Sequence, residues 1–244
     1  MSERMLLTQV LPVGPSVDIS DADGRAWLES VYAPDPGPFV RLNMITSLTG
    51  SAAGPDGTSE SLSNRADRAV LGVIRGHADV VIVGAQSVRA EGYIVPRSAR
   101  LAVVTRSGDL SGHRLDASAD GAPPVLVLCP QPRVAAVRAR LAEMNAEVVG
   151  VPADADGTLE PRRILAALHA RGLESSVCEG GPTLAGRFIA AGVVDEVCVT
   201  VAPALTPSSG PFIPVGAADD PPGAVAGMLV DQSGFSYLRL RRRP

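Results

Sequence analysis

Four short stretches carry side chains whose types and spacing suit the binding of a phosphorylated ligand. In Glu179-Gly180-Gly181-Pro182-Thr183-Leu184-Ala185-Gly186 an apolar run ends in a carboxylate and a glycine pair, and Pro182 then stands at the first position of a helix. Bare backbone can approach a pyrophosphate closely, and the unpaired N–H groups of a helix start favour its charge. The same residues would also make an ordinary strand-to-helix turn. In Gly84-Ala85-Gln86-Ser87-Val88-Arg89-Ala90-Glu91 the four-residue spacing puts Ser87 and Glu91 on one helix face. That pair suits a ribose or a carboxamide, and equally a capped, solvated helix. Thr105, Arg106 and Ser107 follow another apolar run, with two hydroxyls and a guanidinium able to grip a phosphate from several directions. Last, Asn43 to Gly50 leads into a polar segment, Gly54 to Ser63, with the look of a ligand loop.

Composition removes several other chemistries. All 22 basic residues are Arg, so a lysine Schiff base and the lysine of a Walker A loop are excluded. His77, His113 and His169 lack metal-ligand spacing, and no HxE partner accompanies a CxxC, which excludes a zinc deaminase; no metal is expected. A net charge of −4 argues against a nucleic-acid surface. Arg239, Arg241, Arg242 and Arg243 cluster, but they alternate with Leu238 and Leu240 and read as a solvated terminal strand. Cys129, Cys178 and Cys198 are widely spaced in apolar runs and read as buried thiols. Apolar runs are too short to span a membrane, and Met1 to Pro12 lacks a signal-peptide pattern, so a cytoplasmic location without membrane partners is expected.

These stretches need a scaffold that brings strand ends together. Residues 1–38 read as an N-terminal extension, with Ser20 and Asp23 before a short helix through Trp27 and Leu28, then a Pro-rich exit. The core, 39–244, begins at Phe39. Strands at 39–46, 78–83, 100–105, 125–128, 147–151 and 176–178 alternate with helices at 64–75, 85–90, 133–144, 161–171 and 182–191. Such alternation predicts an α/β fold, a mostly parallel sheet with helices on both faces. Three runs without intervening helices, 193–201, 225–230 and 235–240, predict a finish in antiparallel strands. In sheets of this kind ligands sit beyond the carboxyl ends of strands, where all four stretches fall.

The order of the stretches adds to each of them. Ser47-Leu48-Thr49-Gly50, the helix ending at Arg75 before Gly84 to Glu91, Glu179 to Gly186, and Val194-Asp195-Glu196 through Ala202-Pro203 form four ordered blocks. With them the chain, over about residues 39–241, resembles the pyrimidine reductase family of riboflavin biosynthesis, the reductase domain of RibD, whose fold is similar to dihydrofolate reductase. The resemblance implies an NADPH site at Ile45, Ser61, Ser87, Glu91, Ser107 and the run Gly181, Pro182, Thr183, Leu184, Ala185, Gly186 and Arg187. Thr105 and Arg106 join it from their place at a strand end, where the 2′-phosphate would lie. It implies substrate contacts at Ser59, Arg75, Arg97 and Glu179. The implied reaction is reduction at the ribosyl C1′ of 5-amino-6-(5-phosphoribosylamino)uracil to a ribitylamine, and no side chain stands out as its general acid.

The chain departs from the family in three places. Thr49 stands where Asp is frequent, Ser61 where a larger residue is frequent, and Arg187 where a small one is. The missing carboxylate keeps open a pterin or dihydrofolate-type reductase, or a non-catalytic NADPH-binding protein. A homodimer is expected through the apolar strand of Val193, Val194, Val197, Val199 and Val201, which reads as unlike a solvated edge.

Overall fold

A computed structural model describes residues 4–91, 96, 98–113, 115, 123–207, 212–214 and 223–242. The N-terminal segment enters the sheet as β1 (Leu6–Leu11) and β2 (Ser16–Asp18), then forms α1 (Ala22–Tyr32). The cap of α1 is Asp21, whose carboxylate accepts from the Gly24 N–H at 2.8 Å, in place of the Ser20 and Asp23 pattern. Only glycine fits at position 24, since a Cβ there would lie 1.9 Å from the Asp18 carbonyl oxygen.

The core opens with β3 (Phe39–Ser47). It continues through α2 (Arg65–Gly76), capped by Asn64, then β4 (Val80–Gly84), α3 (Ala85–Ala90) and β5 (Arg100–Val104). Next come β6 (Val125–Pro130), α4 (Val134–Arg140), β7 (Ala146–Val151), α5 (Pro161–His169), β8 (Ser175–Gly180) and α6 (Pro182–Ala190). The chain closes with β9 (Glu196–Ala202), β10 (Ala224–Asp231) and β11 (Ser236–Arg241). The expected helix over 133–144 ends at Arg140. No Gly or Pro marks that stop, and the chain turns at Leu141 to Asn145 to feed β7.

Among the described residues, eleven strands form one sheet in the order β2-β1-β10-β11-β9-β3-β8-β4-β5-β6-β7. The run from β9 to β7 is parallel, and β11, β10, β1 and β2 add antiparallel neighbours. Strand β9 pairs parallel to β3 on one side and antiparallel to β11 on the other, so the expected antiparallel finish runs from β9 through β11 to β10. One expectation is corrected here. Strand β9 is an interior strand, hydrogen-bonded on both sides, and starts at Glu196 because Val193 to Asp195 form the turn that ties to Val40. The first 38 residues share the sheet too, through β1 and β10.

Helices α1, α2, α3 and α4 pack on one face and α5 and α6 on the other, each burying its apolar stripe against a continuous cluster. On the α5–α6 side, the part of the sheet built by β9, β11 and β10 carries no helix among the described residues. Val197, Val199, Val201, Leu238, Leu240 and Met228 lie there half-buried.

Arg239 is not solvated, contrary to the reading of the terminal arginines. It is 8% exposed and donates to Glu196, itself fully buried, at 2.7 Å. Arg41 and Arg241 donate to the same carboxylate at 2.6 and 3.1 Å. Burial disfavours the charged Glu196, but Arg41 and Arg239, with bonds from Arg239 and Arg241, outweigh it and hold its carboxyl below the ordinary glutamate value. The guanidiniums also cap α1, donating to the carbonyls of Val31, Tyr32 and Ala33. The three cysteines are buried, and burial pushes the Cys178 and Cys198 thiols up to about 12.

Candidate active site

The carboxyl ends of β3, β8, β4 and β5 lie side by side, and the site grows from the turn after β8. Gly180 has φ +74°, a conformation that side chains rarely adopt, and a Cβ there would stand 2.9 Å from the Met44 sulfur. Pro182 opens α6, whose start has no side-chain cap; Pro182 carries no N–H and Leu184 donates to the Gly181 carbonyl at 3.0 Å, so the Thr183 N–H is the first-turn donor that faces a ligand. Ser87, from α3, accepts from the Gly181 N–H at 3.2 Å, joining the second predicted stretch to the first. Thr183 is exposed in that turn, and Leu184 is half-buried. Ala185 and Gly186 are buried in the fold instead, and a Cβ on Gly186 would meet the Pro214 carbonyl at 2.3 Å. Their contribution to a ligand is limited to close packing of helix on sheet.

Two residues expected as separate substrate contacts pair with each other. Arg75 donates from Nε and Nη2 to the two carboxylate oxygens of Glu179, at 2.7 and 2.6 Å. The pair is bidentate and only partly covered, 20% exposed on the arginine side and 9% on the glutamate side. Position 97 lies outside the described residues. Ser59 comes to the same region, since its N–H donates to the Glu91 carboxylate at 3.1 Å. Ile45 is half-buried on β3.

Ser61 turns away into its own loop, where its hydroxyl donates to Asp56 at 2.5 Å and holds that carboxyl below the ordinary value. Thr49 is exposed; its hydroxyl donates to the Thr206 carbonyl and lies 2.8 Å from the Ser47 hydroxyl. At the end of β5, the Thr105 hydroxyl is buried and closes its turn by accepting from Gly108 N–H at 2.9 Å. Arg106 and Ser107 are exposed beside it. Arg187, on α6, reaches the turn between β7 and α5 and donates to the Thr158 hydroxyl at 3.4 Å.

That last turn, with Asp156 and Thr158, was not among the four stretches. The rule that ligand residues follow apolar runs applies to it as well, because it follows Val151 at the carboxyl end of β7. The residues present fit a dinucleotide: a side-chain-free turn, an uncapped helix start and flanking arginines.

The family model described as the RibD C-terminal domain matches residues 38–216. The chain belongs to this family. The match starts one residue before the core expected from Phe39 and stops short of β10 and β11, so the antiparallel strands lie outside it. Among relatives, the riboflavin biosynthesis protein RibD of Mycobacterium tuberculosis is 31% identical over 183 residues, 75% of this chain and 46% of that protein. This chain thus spans about half the length of that RibD. The 2,5-diamino-6-ribosylamino-4(3H)-pyrimidinone 5′-phosphate reductase of Methanothermobacter thermautotrophicus is 31% identical over 181 residues, 69% of this chain and 79% of that one. A pyrimidine reductase-like protein of Corynebacterium diphtheriae has the same fold, with TM-score 0.65 and 24% identity over 85% of this chain and 92% of that chain.

Proposed function

We propose that this member of the RibD C-terminal domain family is an NADPH-dependent reductase of 5-amino-6-(5-phosphoribosylamino)uracil in riboflavin biosynthesis. The observation that carries this is the junction of the Gly180–Gly181 turn, the uncapped start of α6 and Ser87, beside the Arg75–Glu179 pair. Bound NADPH would supply the hydride for C1′. The chain's own residues do the positioning. The glycine turn and α6 hold the pyrophosphate, Arg106 and Ser107 take the 2′-phosphate end, and Arg75, fixed by Glu179, presents a cation beside the turn to a sugar phosphate. Thr49 offers a neutral hydroxyl at the mouth of the site. All of these residues lie in 39–244, with the first 38 residues supporting the sheet from its far side.

A homodimer belongs to this reading on altered ground. As an interior strand β9 cannot pair edge to edge, but the half-buried apolar face of Val197, Val199, Leu238, Leu240 and Met228, which no helix among the described residues covers, is a surface a second copy can cover. A cytoplasmic setting agrees with three unpaired thiols.

The test is turnover: protein, NADPH and the aminouracil ribotide are mixed, and absorbance at the reduced nicotinamide band is followed. Loss of absorbance that requires the ribotide supports the reading, and oxidation only with a pterin replaces it. Tight NADPH binding with no turnover on either substrate would leave a non-catalytic binding protein.

A further inference from the structure

The turn between β7 and α5 places a carboxylate that Thr158 links to Arg187 and that lies within the field of Arg106. Asp156 is held by Thr158, whose N–H donates to one carboxylate oxygen at 2.9 Å and whose hydroxyl donates to the other at 2.8 Å. The same Thr158 hydroxyl accepts from Arg187 at 3.4 Å, so Asp156, Thr158 and Arg187 form one chain of contacts. Arg106, at the end of β5, stands close enough for its charge to act on this carboxylate. The carboxyl of Asp156 is held below the ordinary aspartate value first by the two Thr158 bonds, then by the charges of Arg106 and Arg187. Arg106 lies on the proposed 2′-phosphate side of the site, and Arg187 lies on the helix that begins at the glycine turn.

We propose that Asp156 is a specificity-determining residue: an internal anion that shares Arg106 and Arg187 with the nucleotide 2′-phosphate and thereby limits the preference for NADPH over NADH. The inference rests on the nicotinamide-dinucleotide reading of the site. Its physical basis is competition. A dianionic phosphate ester is drawn to the two guanidiniums, and a fixed carboxylate beside them cancels part of that field. NADH carries no charge at the 2′ position and does not sense the difference.

The experiment measures dissociation constants of NADPH and NADH by calorimetry for the wild type and for Asp156→Asn, at low and high salt. Asp156→Asn is expected to tighten NADPH by about three- to fivefold, the scale of one exposed charge pair, and to leave NADH within about twofold. The gain should shrink as salt screens the field. Arg187→Ala is expected to weaken NADPH by about the same factor, again without moving NADH. Asp154→Asn is the control, because it removes the same charge from the same turn at a residue that pairs with Arg163 at 3.4 Å. Melting curves show that the variants fold. An unchanged NADPH-to-NADH ratio in Asp156→Asn overturns the inference, and so does an equal gain in Asp154→Asn. Failure of the wild type to bind either nucleotide overturns the nicotinamide reading and this inference with it.

Discussion

Two of the arginine–glutamate clusters in this sheet are built from the same residue types to different ends. Around Glu196, three guanidiniums close on a carboxylate with no exposure, and other donors of theirs end on the carbonyls that finish α1 and on Asp35. Around Glu179, the Arg75 guanidinium makes a two-point contact that stays partly open beside the glycine turn. The first cluster has no room for a ligand and locks the N-terminal extension onto β3, β9 and β11. The second stands at strand ends, where a ligand can reach it. Residue type does not separate them; cover and place in the sheet do.

Removing the charge of Glu196 should have the largest effect. Glu196→Gln leaves Arg41 and Arg239 buried without a counter-charge and is expected to cost about 3–5 kcal/mol, read from urea unfolding. The same group sets an acid limit. Because its folded value lies below the ordinary 4.5, its contribution is complete above about pH 4.5 and is lost as pH falls through the lowered value. Stability measured from pH 7 downwards should therefore drop more in the wild type than in Glu196→Gln.

Glu179→Gln should invert that pattern. We expect a stability loss of only about 1–2 kcal/mol, since the pair is partly solvated, with kcat/KM on the aminouracil ribotide down by about a hundredfold. A stability loss as large as that of Glu196→Gln, with activity retained in the folded fraction, would make both clusters structural. Arg106→Ala comes next: NADPH binding weakens about tenfold and NADH binding stays level, as titration of each nucleotide will tell. The smallest change is expected at Thr49. Thr49→Val loses one hydrogen bond to the Thr206 carbonyl and should cost about 1 kcal/mol in a thermal melt, while Thr49→Ser keeps the bond and the stability.

Much of the candidate site was legible from the chain because its parts are local. A glycine pair with Pro182 behind it announces a strand-to-helix turn wherever it occurs, and the apolar runs before Glu179 and Gly84 mark strands whose ends face the same way once the crossovers are helical. The direction of the Ser61 hydroxyl was not legible in this way: position in a motif says nothing about which way a loop hydroxyl points, and here Asp56, five residues away, holds it. The turn at Asp156 went unread because no motif marks it, although it obeys the same strand-end rule as the others.

The sequence by itself determined the alternation of strands and helices and the glycine turn that opens α6, since each rests on short-range periodicity or on backbone freedom. Tertiary structure alone decided the strand order, and with it that β9 is interior, that β1 joins β10, and that Arg239 and Arg41 find Glu196 across 43 and 155 positions. The physical reason is that a charged side chain has no fixed meaning until its neighbours are known. In water Arg239 would be a solubilising cation, and only the pairing of β11 with β9, under the cover of α1, makes it the partner of a buried carboxylate.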